Sequence, residues 1–175
     1  MSNNNSNQKK GVSIFEIKYS KKDKLEMQKN IERVMDEAFL SDHTFCRKVE
    51  IKLKKMHSSH NFLCCSSGTT ALEAIFRYLD VNSKAVLVQS NTFIATGHAI
   101  HAAGGIIVPI DLNKEYTASL IDIKKAYLDC KERNIQVAAI CIVNIAGRAS
   151  NESFQIRDFC LEENIPMIED NAQGM

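Results

Sequence analysis

Apolar residues recur in two different rhythms along this chain of 175 residues. From Asp23 to about Leu40, Leu25, Ile31, Val34, Met35, Ala38 and Phe39 fall at helical spacing and predict an amphipathic helix, and a weaker pattern predicts a second over Phe45–Met56. Beyond residue 60, short apolar runs alternate with helix-period segments, the signature of βαβ units that build a parallel sheet. The predicted strands are Asn61–Cys65, Ala85–Gln89, Ile106–Ile110, Val137–Val143 and Ile165–Glu169. Between them, Thr70–Leu79 carries Leu72, Ile75, Phe76 and Leu79 on one face. Further helices are predicted at Ile94–Ala103, closed by Gly104-Gly105, at Ser119–Glu132 and at Glu152–Glu163. Three segments follow: a disordered tail over 1–12, a helical segment over 13–60, and an α/β region over 61–175.

Composition narrows the class without changing that outline. Hydrophobic residues make up 45% of the chain, enough for a core, and no run of about 18 or more apolar residues is present. The opening MSNNNSNQKK lacks the apolar stretch of a secretory signal, so a cytoplasmic protein, not a membrane one, is expected. Of the six cysteines, Cys64, Cys65, Cys141 and Cys160 lie in or beside apolar runs and none forms a Cys-x-x-Cys pair, so buried thiols are expected. The net charge of +1 divides into +5 over residues 1–60 and −4 over 61–175. The lysines of the basic part are interspersed with acids and apolar residues and carry few aromatics, as on a solvated helix face; nucleic acid is not an expected partner.

In a parallel sheet, ligands bind beyond the carboxyl ends of the strands. The first predicted strand runs into Ser66-Ser67-Gly68-Thr69-Thr70 before the strongest helix. Gly68, free N–H groups and the positive helix end suit a phosphate, with the hydroxyls of Thr69 and Thr70 as further donors. Thr70-Ala71-Leu72-Glu73 equally fits a capping box. Neither a dinucleotide fingerprint nor a P-loop is present. The second strand leads to Asn91-Thr92-Phe93, where Phe93 is either a stacking platform or a core residue. The last leads to Glu169-Asp170-Asn171-Ala172-Gln173, where Asp170 suits a cationic ring nitrogen, a magnesium ion or a helix N-cap. His98 and His101 stand three apart on a predicted helix but lack a third metal ligand, so no metal site is expected. An anion cradle, an aromatic platform and a carboxylate at three neighbouring strand ends together suit pyridoxal phosphate (PLP), whose pyridine nitrogen must stay protonated.

These segments, Ser67-Gly68-Thr69-x-Ala71-Leu72, Thr92-Phe93-x-Ala95-Thr96 and Glu169-Asp170-x-Ala172-Gln173, resemble in order and spacing the DegT/DnrJ/StrS family of PLP-dependent sugar aminotransferases, from about Leu25 to Met175. The resemblance implies a three-layer α/β/α fold with a mainly parallel sheet, the large domain of the aspartate-aminotransferase type, here truncated. It implies phosphate contacts from Gly68, Thr69 and Thr70, stacking by Phe93, Asp170 on the pyridine nitrogen and Gln173 on the phenolic oxygen. It further implies glutamate as amino donor, a nucleotide-linked keto-sugar as acceptor, and a homodimer in which a neighbouring subunit helps complete the site.

Two departures qualify the resemblance. Val143-Asn144-Ile145-Ala146-Gly147 stands where the family tends to have His and an aromatic. The family's Schiff-base lysine lies downstream of the Glu-Asp-x-Ala-Gln motif, so no catalytic lysine is assigned here; Lys84, Lys114 and Lys124 are expected before strands or on exposed helix faces. The chain is therefore expected to be an incomplete fragment, inactive alone. A pyridoxamine-dependent sugar dehydratase of the same family, with histidine for lysine, and a non-catalytic cofactor-binding paralogue are the alternatives.

Overall fold

Ser20 opens the first helix with a capping box: its Oγ accepts from the Asp23 N–H at 3.1 Å, and Asp23 Oδ2 accepts from the Ser20 N–H at 2.9 Å. The computed structural model describes residues 17–37, 44–57 and 61–174. They divide into two units, Met1–Cys64 and Cys65–Met175. The first holds α1 (Lys21–Asp36) and α2 (Thr44–His57). Met27, Ile31, Val34 and Met35 of α1 and Phe45 of α2 line an apolar groove of about 430 Å³. The proposed disordered tail, Ala38 and Phe39 lie outside the described residues. The predicted strand over Asn61–Cys65 does not form: the Cys64 N–H goes to Glu50 Oε1 of α2 at 2.8 Å instead of to a strand neighbour, and Leu63 is 83% exposed. An apolar run becomes a strand only where a ladder is available to it. Cys64 and Cys65 are exposed, against expectation, whereas Cys130, Cys141 and Cys160 are buried; all six thiols are free.

The second unit is a parallel sheet wrapped on both faces. It contains α3 (Gly68–Tyr78), β1 (Ala85–Gln89), α4 (Ile94–Ala102), β2 (Ile106–Ile110), α5 (Leu120–Glu132), β3 (Val137–Val143), a 3-10 turn (Ile145–Gly147), α6 (Ser153–Glu162) and β4 (Met167–Asp170). The strand order is β2-β1-β3-β4, all parallel. Side chains alternate across the pleat. Ala85, Leu87, Ile140 and Ile142 pack with Ile123 and Cys130 of α5 and Ile156 and Phe159 of α6, while Val86, Val88, Ala139 and Cys141 pack with Leu72 and Phe76 of α3 and Ala99 and Ile100 of α4. Every residue of β1 is buried, as a central strand in a three-layer fold requires. The expected α/β/α architecture is thus present. Among the described residues, no helix is long and apolar enough to cross a membrane.

Four helices of this unit end alike. After α3, α4, α5 and α6 come Asp80, Gly104, Asn134 and Asn164 with φ of 50°, 80°, 55° and 54°. The next N–H in each case, of Val81, Gly105, Ile135 and Ile165, returns to a carbonyl of the last helical turn at 2.8–3.3 Å. This is the Schellman arrangement, and it turns the chain sharply toward the following strand. It also shortens the predicted last strand, because Ile165 is spent on the α6 cap and Pro166 has no N–H, leaving β4 to start at Met167. Gly104 has the least freedom, since an added Cβ would clash with the Asn82 side chain. Gly104→Ala is expected to lower unfolding stability by about 1–2 kcal/mol, and Asn134→Gly to leave it unchanged or raise it. Urea unfolding followed by far-ultraviolet circular dichroism checks both signs.

Candidate functional site

At the carboxyl end of the sheet, β1 and β3 part company, and a side chain closes the gap. Gln89, fully buried, accepts the Val143 N–H on Oε1 at 2.9 Å and donates from Nε2 to Asn91 Oδ1 at 2.7 Å; Asn91 then donates to the Tyr116 carbonyl at 2.9 Å. The clamp satisfies buried backbone where the ladder stops and holds the loop after β1 open. That loop delivers Phe93 to the N-cap position of α4 with no side-chain cap, the residue 71% exposed. The core reading of Phe93 is therefore corrected, because the side chain precedes the helix stripe instead of joining it.

β4 ends on Asp170, whose two oxygens are held separately. Oδ2 accepts from Thr96 Oγ1 at 2.9 Å and Oδ1 from the Ala172 N–H at 3.1 Å. The second bond is a turn within the chain's own backbone, so Asp170 does not cap a helix, and among the described residues no group of three or more His, Cys, Asp or Glu is placed to hold a metal. The following turn folds against the loop after β3. Asn144 donates its backbone N–H to the Asp170 carbonyl at 3.1 Å, and its side-chain amide donates to Asn171 Oδ1. Ala146, in the left-handed region at φ 53°, donates its N–H to Gln173 Oε1 at 2.7 Å. With Oε1 engaged, the Gln173 amide keeps its NH2 as a donor.

Asn91, Thr92, Phe93, Val143, Asn144, Ile145, Asp170, Ala172 and Gln173 enclose a cleft of about 470 Å³. The fold thus brings together three of the residues singled out from sequence, Phe93, Asp170 and Gln173. They do not stand on adjacent strand ends as expected, because β3 lies between β1 and β4. Gly68, Thr69 and Thr70 form the first turn of α3, which packs on the same sheet face as α4, but they do not line the cleft. Ser67, not Thr70, caps that helix: its Oγ accepts the Thr70 N–H at 3.1 Å. Glu73 is taken by Arg77 at 2.8 Å, so the capping box does not form. The Oγ1 of Thr70 lies 3.0 Å from Ser67 Oγ and 3.2 Å from Ser66 Oγ, while the N–H groups of Gly68 and Thr69 have no acceptor among the described residues. No lysine lines the cleft; Lys84 pairs with Asp80 at 2.9 Å.

Sequence reasoning gave no role to Gln89, Asn91, Asn144 or Thr96. The available signal was a polar residue closing an otherwise apolar strand, which Gln89 and Asn144 both show.

A profile of the DegT/DnrJ/EryC1/StrS aminotransferase family matches residues 21–175. The chain is 32% identical over 110 residues to the UDP-4-amino-4,6-dideoxy-N-acetyl-beta-L-altrosamine transaminase of Campylobacter jejuni, covering 63% of this chain and 28% of that protein. It is similar to a DegT DnrJ EryC1 StrS aminotransferase from Brucella abortus, with TM-score 0.77, 24% identity, and 86% and 41% of the two chains covered. It is also similar to ntda from Bacillus subtilis with bound cofactor pmp, with TM-score 0.78, 22% identity, and 89% and 35% covered. The chain thus spans less than half the length of each of these relatives.

Beneath the cleft, burial, and then the negative charge of Asp170, push the Cys141 thiol up to about 12 from an ordinary 9.0. Burial alone pushes Cys160 up to about 11. Both thiols stay neutral in the folded chain after their unfolded counterparts have ionised, so this stability is fully present below pH 9.0 and is lost as pH rises toward 11–12. The urea midpoint is expected to fall above pH 9.0 and to fall less steeply in a Cys141→Ala, Cys160→Ala variant. Equal slopes would contradict the assignment.

Proposed function

The chain belongs to the DegT/DnrJ/EryC1/StrS aminotransferase family, and from that premise we propose that the cleft is the ring-binding part of a PLP site in a sugar-nucleotide aminotransferase. The family is PLP-dependent, and relatives are solved with pmp bound or as a ketimine complex. The observation that carries the reading is the convergence of Phe93, Asp170 and Gln173 on one cleft of about 470 Å³. Its residues fit the cofactor: an exposed aromatic ring, a carboxylate fixed by two donors, and an amide whose NH2 remains to be used.

Each side chain has a physical task in this reading. Phe93 stacks on the pyridine ring, worth about 0.5–1.5 kcal/mol beyond area burial. Asp170 faces the ring nitrogen and favours its protonated form. Gln173 donates to the phenolic oxygen. Gly68 and Thr69 offer open N–H groups at a helix N-terminus, and Thr69 and Thr70 offer hydroxyls, to the phosphate. When bound, the cofactor supplies an electron sink for amino-group transfer. Residues 61–175 are on this account part of the cofactor-binding domain, after a helical segment over 13–60. The whole protein is proposed to move an amino group from glutamate to a nucleotide-linked keto-sugar, in the cytoplasm and as a homodimer. The Campylobacter relative's description as a UDP-amino-sugar transaminase supports that substrate class. The chain of 175 residues has no assigned Schiff-base lysine and is proposed to bind the cofactor without turning it over.

Equilibrium dialysis of this chain against PLP tests the site. Weak binding is expected, reduced about tenfold or more by Asp170→Ala and by Thr69→Ala, the loss of one charge-assisted contact each. Binding that survives both substitutions unchanged would refute the assignment.

A further inference from the structure

We propose that Thr96 is a positioning residue for Asp170, with Thr92 behind it: a one-way hydroxyl relay from α4 fixes the carboxylate that faces the ring nitrogen. The inference rests on the cofactor reading of the cleft. Thr96 sits in the first turn of α4, fully buried, and its contact with Asp170 joins residues 74 apart in sequence. A buried helical threonine commonly bonds back to the carbonyl four residues earlier. Thr96 instead gives its hydroxyl to Asp170 Oδ2 at 2.9 Å.

Proton counting then orders the chain of bonds. A hydroxyl carries one proton, and an ionised carboxylate only accepts. The Thr96 proton is therefore committed to Asp170, and the 2.7 Å contact between Thr92 Oγ1 and Thr96 Oγ1 must run from Thr92 to Thr96. Thr92 lies in the loop that also presents Phe93, so one short segment sets both the platform and the carboxylate. The Ala172 N–H holds the other oxygen at 3.1 Å. Donors from two elements, α4 and the turn after β4, fix the plane of the carboxylate before any ligand arrives. Charge-assisted bonds of this kind hold geometry more firmly than neutral ones.

A double-mutant cycle on the 175-residue chain, read by equilibrium dialysis against PLP, tests the relay. Thr96→Val is expected to weaken binding about tenfold, Thr92→Val about threefold, and Thr96→Ser to stay near the parent value. In the Asp170→Ala background, neither valine substitution is expected to weaken binding further, because the group they position is gone. Should Thr96→Val fail to fold, Thr92→Val carries the same cycle, with Thr96→Ser as the control that keeps the hydroxyl. Losses of equal size in both backgrounds would overturn the proposal and leave Thr96 as packing. If Asp170→Ala itself leaves PLP binding unchanged, the cofactor reading fails and the relay with it.

Discussion

A half-buried carboxylate at the end of a strand needs donors, and the cleft is arranged around meeting that need for Asp170. Water reaches the residue only in part, so each oxygen takes a fixed protein donor, Thr96 from one helix and Ala172 from the following turn. Satisfying the carboxylate therefore ties α4 to β4 across the sheet. The loop that presents Phe93 is drawn in through Thr92, and the turn that presents Gln173 is drawn in through Ala172.

The sheet explains why this happens only at one end. All of β1 and most of β3 are buried on both faces, which leaves no room for chemistry along the strands. At the carboxyl edge the ladder between β1 and β3 gives way, and Gln89 replaces a backbone partner with a side-chain one. The strands that end at the cleft are anchored in the buried core through Cys141 of β3 and Ile168 of β4. Four repeated helix endings keep the connections at the opposite edge short, whereas the loops after β1, β3 and β4 line the cleft.

Periodicity was a reliable guide where burial decided the outcome. Ala85–Gln89 and Val137–Val143 are apolar because they are sheet interior, and they form the expected strands; Ile106–Ile110 also forms its expected strand, at the sheet edge, with Ile106 and Ile107 exposed. It misled at Asn61–Cys65, where the same apolar look accompanies exposed side chains and a backbone bonded to Glu50. Sequence could locate Phe93 and Asp170 at the ends of elements, since polar or aromatic residues there interrupt a pattern. It could not reveal that Thr96 reaches Asp170, because that bond depends on how a helix and a strand 74 residues apart are placed. Nor could it separate Ser67 from Thr70 as the α3 cap, a choice set by backbone geometry over a single turn.

On the proposed cofactor reading, one ligand bridges the first turn of α3 and the cleft, although Gly68 and Thr69 do not line it. Titrating the nitrogen-15-labelled chain with PLP and following backbone amide resonances addresses this directly. Gly68, Thr69, Phe93, Ala172 and Gln173 are expected to shift together along one saturation curve. Shifts at Ala172 and Gln173 with none at Gly68 or Thr69 would contradict it.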